Sequence, residues 1–187
     1  TKKELNSLSK LFQRKRMLLS TKATEKQIKA LNLKQFDVIA FATHAAVSGS
    51  LVGFNEPFLV LTPPKISTDL NDGVLTASEI SELNLNAKLV ILSACNTASK
   101  ENEYAPGFSG LVAAFFQAGA KAVIATHWPI EDKAGSIMIV ETLRKTIEGN
   151  LDFTKSLQMT KKEFIEGKYG KKHKNPIYWG SYVVIGN

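Results

Sequence analysis

The chain reads as an α/β protein whose helices flank a mostly parallel central sheet, and three observations predict it. Short apolar runs at residues 37–42, 88–94 and 121–126 have the length and β-branched content of buried strands. Segments of helical periodicity separate them, which is the order expected of parallel strands joined by crossover helices. A length of 187 residues suits one domain with a real core.

Taken in order, Leu5, Leu8, Leu11 and Phe12 recur at helical spacing between charges, so residues 3–19 are predicted as an amphipathic helix. Thr24-Glu-Lys-Gln27 has capping-box spacing and opens a short helix that turns Ile28 and Leu31 inward. Residues 37–42 follow as a strand. The stretch from Gly49 to Gly53 is expected to be a flexible loop, Phe58-Leu-Val-Leu61 a strand ended by Pro63-Pro64, and Asp72-Gly73 a turn. Thr76-Ala-Ser-Glu79 caps another helix, and Lys88 to Ala94 forms a central strand. Thr97 to Pro106, with no apolar periodicity, is expected to be a mobile loop. Phe108 to Ala118 is apolar nearly all round, the mark of a buried helix, and Gly119 stops it. Lys121 to Thr126 is the next strand. Glu131 to Glu148 is a long amphipathic helix with acids in its first turn, as the macrodipole favours. A helix over 153–166 and a β-branched, aromatic strand from Tyr178 to Ile185 complete the chain. There is no internal repeat or low-complexity linker.

The net charge of +7 is unevenly spread. Residues 1–35 carry ten basic against two acidic residues, residues 36–150 seven against twelve, and residues 151–187 seven against three. The basic flanks, Arg14-Lys-Arg16 and Lys168-Tyr-Gly-Lys-Lys-His-Lys174, are spaced like solvated surface and come with no nucleic-acid module, so direct nucleic-acid binding is not expected. One cysteine excludes an internal disulfide, and three widely spaced histidines beside it give no metal-site pattern. Metal-free, cofactor-free chemistry in a reducing compartment is expected. No run approaches eighteen apolar residues and the first residues lack a signal-peptide stretch, which points away from a membrane and to the cytoplasm.

Two of the strands end on chemistry. Phe36-Asp-Val-Ile-Ala-Phe-Ala-Thr-His44 ends on a histidine and Lys88-Leu-Val-Ile-Leu-Ser-Ala-Cys95 on the one cysteine, 51 residues later. Caspase-type proteases carry their histidine about 50 residues before the cysteine. Open α/β sheets build their sites at the carboxyl ends of their strands. A neutral imidazole there can take up the thiol proton, and the thiolate is the nucleophile. The same residues also read as a buried structural cysteine and an unrelated histidine; the two matched strand ends favour chemistry.

An ordered set of motifs resembles the CHAT family, caspase-like domains usually found behind tetratricopeptide repeats and related to caspases, separases and gingipains. The motifs are Phe41-Ala-Thr-His44, Asp72-Gly-Val-Leu-Thr-Ala-Ser-Glu-Ile80, Leu89-Val-Ile-Leu-Ser-Ala-Cys-Asn-Thr97, the glycine-bounded Gly107 to Ala120, Trp128-Pro-Ile-Glu-Asp132 and Asn175 to Gly186. The resemblance implies a caspase-like three-layer sandwich, with His44 as the catalytic histidine, Cys95 as the nucleophile, and main-chain N–H groups of Ala45 and Cys95 as the oxyanion site. It also implies a protein or peptide substrate, with Trp128, Glu131, Asp132 and His127 around the substrate, and tetratricopeptide repeats in the same chain or a partner chain. The sequence departs from the family at Ala45, where glycine is common, at His127, where leucine is typical, and at Asn175, where histidine is common. His127 reads as a pocket wall, a second base or a structural histidine. Asp132 follows Trp128 as in separase-like enzymes, but two further acidic positions of those enzymes are Ala134 and Ser136 here. CHAT domains generally begin with further strands, so residues 1–187 are expected to be a single domain lacking its N-terminal strands or part of a longer chain.

These observations lead to a cysteine endopeptidase as the first functional reading. A caspase-like interaction or regulatory module with little catalysis is the second. A flavodoxin-like nucleotide-binding domain would need a glycine-rich phosphate loop after its first strand, which Thr43-His-Ala-Ala-Val-Ser-Gly49 does not supply.

Overall fold

Four strands form the main sheet of the computed structural model, which describes residues 2–48, 55–68, 71–93 and 110–186. They are β1 (Val38–Phe41), β5 (Leu89–Leu92), β6 (Ala122–Thr126) and β7 (Tyr182–Gly186), in the order β1-β5-β6-β7. β1, β5 and β6 run parallel, and β7 returns antiparallel to β6. A smaller antiparallel sheet holds β2 (Ala45–Ala46), β3 (Phe58–Val60) and β4 (Val74–Thr76). The helices are α1 (Lys2–Ser9), α2 (Glu25–Lys29), α3 (Ala77–Ser81), α4 (Gly110–Gln117), α5 (Asp132–Gly149) and α6 (Phe153–Glu166).

The three-layer sandwich follows from the pleat of the central strands. Val90 and Leu92 of β5, with Val123 and Ala125 of β6, face a core built with α2, α3 and α4. Leu89 and Ile91, with Ala122 and Ile124, face the opposite core, built with α1, α5 and α6. Successive side chains leave a strand on opposite faces, so strands covered on both sides must be apolar throughout. All residues of β5 and β6 are buried accordingly.

Local chemistry explains where the elements stop and where they differ from expectation. The first helix ends at Ser9 instead of running to residue 19. Lys10 N–H and Leu11 N–H bond back three residues, the Ser9 hydroxyl takes the Asn6 carbonyl (2.9 Å), and the Lys15 ammonium takes the Ser9 carbonyl (2.8 Å). These bonds close the helix end and leave Leu11 and Phe12 to pack on the α5 side from an irregular segment. The Thr24 hydroxyl caps α2 by accepting Gln27 N–H, whereas the full reciprocal box forms at Thr76 and Glu79. The strand expected at Phe58 to Leu61 is present as β3, in the small antiparallel sheet, whereas β2 and β4 are too short to carry a strand pattern of their own. The last strand starts at Tyr182, not Tyr178, because Pro176–Tyr178 forms a single 3-10 turn. The expected loops from Gly49 to Gly53 and from Thr97 to Pro106 lie outside the described residues.

Gly119 ends the buried helix as expected, at φ +109°, and a Cβ there would stand 2.6 Å from the Leu85 carbonyl oxygen. That carbonyl is fixed, since Leu85 N–H donates to Ala118 O at 2.8 Å. Gly119→Ala is expected to lower stability by about 1–3 kcal/mol, read as a shift of the urea midpoint at unchanged slope.

Across the seam between α5 and α6, the Glu163 carboxylate accepts hydrogen bonds from Lys145 (2.7 Å), Lys168 (2.7 Å) and Tyr169. Burial pushes this carboxyl up, but the three donors outweigh it and hold the pKa down at about 2, against an ordinary 4.5. A depressed carboxylate pKa contributes stability that is present above the unfolded value and lost as pH falls through the folded one. Discounted for solvent screening of this partly exposed carboxylate, Glu163→Gln should cost on the order of 2 kcal/mol at pH 7, and the difference from wild type should vanish as pH is lowered toward 2 in matched unfolding titrations.

Candidate active site

Three parallel strands deliver their carboxyl ends to one edge of the main sheet. Phe41 is paired with Leu92, and Ile91 with Ile124. His44 therefore stands three residues past the first pair and His127 three residues past the second, on the two strands that neighbour β5. Ser93 is the last described residue after β5, and its N–H donates to the Phe41 carbonyl at 2.9 Å. Cys95, two residues further along the chain, lies outside the described residues.

His44 is exposed, and its backbone is held from the side. Val60 N–H donates to the His44 carbonyl at 2.8 Å, and the Thr43 hydroxyl bonds the Val60 carbonyl. His44 and Val60 thus form a hydrogen-bonded antiparallel pair, so the next pair, Ala45 and Leu59, is of the non-bonded kind. The Ala45 N–H is turned away from β3 and is not spent on the small sheet. The Phe41 ring packs on Phe115 of α4 at 5.4 Å between centroids, which braces the strand that leads into His44.

The edge after β6 is built around Ser181, a fully buried hydroxyl that sequence reasoning missed. His127 N–H continues the ladder by donating to the Ser181 carbonyl (3.1 Å). One residue later the side chain takes over: Ser181 Oγ accepts Trp128 N–H (2.8 Å) and donates to Trp128 O (3.0 Å). The partly exposed indole is fixed by its own Nε1–H, which donates to the Ile177 carbonyl at 3.0 Å. Gly180 lies under it, where a Cβ would approach the ring to 3.4 Å and the Pro176 carbonyl oxygen to 2.9 Å. A rigid aromatic wall results. His127 itself is exposed at the strand end.

Glu131 and Asp132 diverge despite adjacency. The Glu131 carboxylate pairs with Lys172 (3.0 Å) and with Nε2 of buried His173 (3.4 Å), whose Nδ1 lies 2.7 Å from the Tyr169 carbonyl. The Lys172 ammonium, aided by His173, holds the Glu131 carboxyl below its ordinary range. Asp132 opens α5, exposed, and its carboxylate makes no ion pair or hydrogen bond with a described residue.

A second missed residue is Glu4, buried on α1, whose carboxylate accepts the Ser93 hydroxyl. It joins the tip of β5 to the helix that covers α5. The signal was present in the sequence, since Glu4 and Leu8 share one face of α1 and both are buried. Among the described residues no cluster of three His, Cys, Asp or Glu side chains is placed to hold a metal ion, and no helix is long and apolar enough to cross a membrane.

Comparison with known proteins adds a family to this geometry. A model of the CHAT domain matches residues 1–187. The chain is 25% identical over 197 residues to Tetratricopeptide repeat protein 28 of Mus musculus, covering 91% of this chain and 8% of that protein. Against the Homo sapiens protein of the same name it is 24% identical over 197 residues, with the same 91% and 8% coverage. The chain thus spans 8% of the length of these curated relatives.

Proposed function

Because the chain belongs to the CHAT domain family, we propose that it is a caspase-like cysteine endopeptidase working through a His44/Cys95 dyad. The observation that carries this reading is the convergence at one sheet edge: His44 follows β1, and the segment bearing Cys95 follows β5, its parallel neighbour. His44 takes the thiol proton, the Cys95 sulfur attacks the scissile carbonyl carbon, and the proton passes to the departing amine, leaving a thioester that water cleaves. The Ala45 N–H, turned away from β3, and the Cys95 N–H are the oxyanion donors in this reading. Trp128 is the pocket wall and Asp132 the acidic group for a basic substrate side chain, with His127 at the rim. The chemistry needs no metal or cofactor.

A second reading, a weakly catalytic interaction or regulatory module, draws on the relatives. Both are named for tetratricopeptide repeats, and the match occupies 8% of their length. By that relation the domain works under the control of such repeats in its own chain or a partner chain, and residues 1–187 are part of a longer polypeptide.

The chain holds one cysteine, so a covalent adduct identifies its own site. An acyloxymethyl ketone peptide ending in arginine should add one label to wild type, none to Cys95→Ala, and far less to His44→Ala. Absence of labelling in wild type, or equal labelling of His44→Ala, would favour the module.

A further inference from the structure

Most of the large apolar side chains exposed among the described residues stand singly: Ile66 after β3, Ile147 on α5, and Met159 and Ile165 on α6. Scattered exposures of this kind are ordinary on a protein surface. Trp128 and Ile177 differ because they are joined, the indole Nε1–H donating to the Ile177 carbonyl at 3.0 Å. Trp128 is 37% exposed and Ile177 56%, and both Pro129 and Pro176 beside them are exposed as well. The pair stands where β6 gives way to the His127–Asp132 segment, between β6 and β7 and at the far side of the sheet from β1.

Neither residue can fold its side chain away. The turn that carries Ile177 is bonded throughout: Asn175 Oδ1 accepts Ile177 N–H (3.0 Å), Asn175 O accepts Tyr178 N–H (3.1 Å), and Pro176 O accepts Gly180 N–H (2.7 Å). The Tyr178 ring stands edge-on against buried His173, 5.1 Å between centroids. On the other side, the buried Ser181 hydroxyl holds both the N–H and the carbonyl of Trp128, at 2.8 and 3.0 Å. With these polar groups spent inside the turn, the surface offers a ligand mainly apolar atoms. Because that surface is fixed beforehand, binding to it carries little ordering cost.

We propose that Trp128 and Ile177 form an apolar shelf that receives a large aliphatic or aromatic side chain of the peptide substrate, borne by one of the three residues preceding the basic residue at the scissile bond. The inference rests on the endopeptidase reading and deepens it: the substrate carries two marks, a basic side chain for Asp132 and an apolar one for the shelf. Position and size select this occupant. Trp128 lies between His127 and Asp132 in the chain, so the shelf is continuous with the candidate site. Two side chains and two prolines suit one substrate residue, whereas a stable protein partner needs about 1,000 Å² or more of interface.

The test uses the whole chain and eight-residue peptides with a single arginine, in which leucine or serine is placed in turn at each of the three preceding positions. At one of those positions leucine should raise kcat/KM by about tenfold over serine. Ile177→Ser should reduce that factor to about threefold or less, and Ile165→Ser, on α6, should leave it in place. The same peptides are then titrated into Cys95→Ala, with the two indole N–H resonances followed by NMR and Trp179→Phe identifying the one that belongs to Trp128. The leucine peptide should move the Trp128 resonance at a concentration where the serine peptide does not. If wild type neither cleaves the peptides nor takes a covalent label, the endopeptidase reading falls, and the titration still decides the shelf. The shelf is overturned if leucine and serine peptides are cleaved alike at all three positions, if Ile177→Ser keeps the full preference, or if no leucine peptide moves the Trp128 resonance.

Discussion

Cys95→Ala should lower kcat/KM on a cleavable peptide by about 10⁴-fold or more, and His44→Ala by about 10²–10⁴-fold, while both variants keep the wild-type melting temperature. The expectation for His44 is grounded in its surroundings. Its imidazole is exposed, and the contacts that fix the segment are main-chain or belong to neighbours: the Val60 N–H to the His44 carbonyl, and the Thr43 hydroxyl to Val60. Alanine leaves those bonds in place, and exposed substitutions of this kind usually change stability by no more than about 0.5 kcal/mol. Loss of the general base removes proton transfer but not the binding of substrate, so kcat should fall and KM should hold. The double variant should be no slower than Cys95→Ala alone, since a base without its nucleophile has nothing to activate. Full hydrolysis by either single variant would exclude the dyad. A large drop in melting temperature for both would instead mark them as structural.

Fold class and the strands that lead toward His44 and toward Cys95 were legible because they rest on local patterns of composition. A run such as Lys88 to Ala94 declares a strand buried on both faces, and α5 and α6 declare themselves by period and caps, down to Asp152 accepting Lys155 N–H at 2.7 Å. The errors arose where tertiary bonds decide. Leu11 and Phe12 keep helical spacing, yet serine and lysine bonds end the helix before them. Strands β2 and β4 exist only because β3 lies between them, with bonds from Leu61 N–H to Gly73 O and from Ala77 N–H to Pro57 O, each 2.8–2.9 Å. Of the site residues missed, Ser181 acts on a partner 53 residues away in the chain, a distance at which no motif spacing carries information, while Glu4, 89 residues from Ser93, shows in the sequence only its place on the Leu8 face of α1.

Asp132→Asn should lower the preference for arginine over leucine before the scissile bond by about tenfold, whereas Glu131→Gln should leave that preference within about twofold. The sequence places both carboxylates around the substrate, and the structure separates them. Glu131 is engaged by Lys172 at 3.0 Å and His173 at 3.4 Å, and the ammonium already lowers its pKa, so its charge is answered within the chain. Asp132, one residue on, is exposed and has no such partner among the described residues, two positions from the Ile130 that follows Trp128-Pro129. A carboxylate that hydrogen-bonds a guanidinium contributes about 1.5–3 kcal/mol, and solvent exposure places this one at the lower end, which corresponds to the tenfold figure. The competing role for Asp132 is stabilisation of the α5 N-terminus, worth about 0.3–1 kcal/mol and indifferent to substrate. The two roles part on paired arginine and leucine substrates: the helix role lowers melting temperature and leaves the kcat/KM ratio untouched, while recognition moves the ratio. An unchanged ratio in Asp132→Asn would remove this carboxylate from the pocket. A ratio that instead falls in Glu131→Gln would mean that substrate displaces Lys172 from its partner.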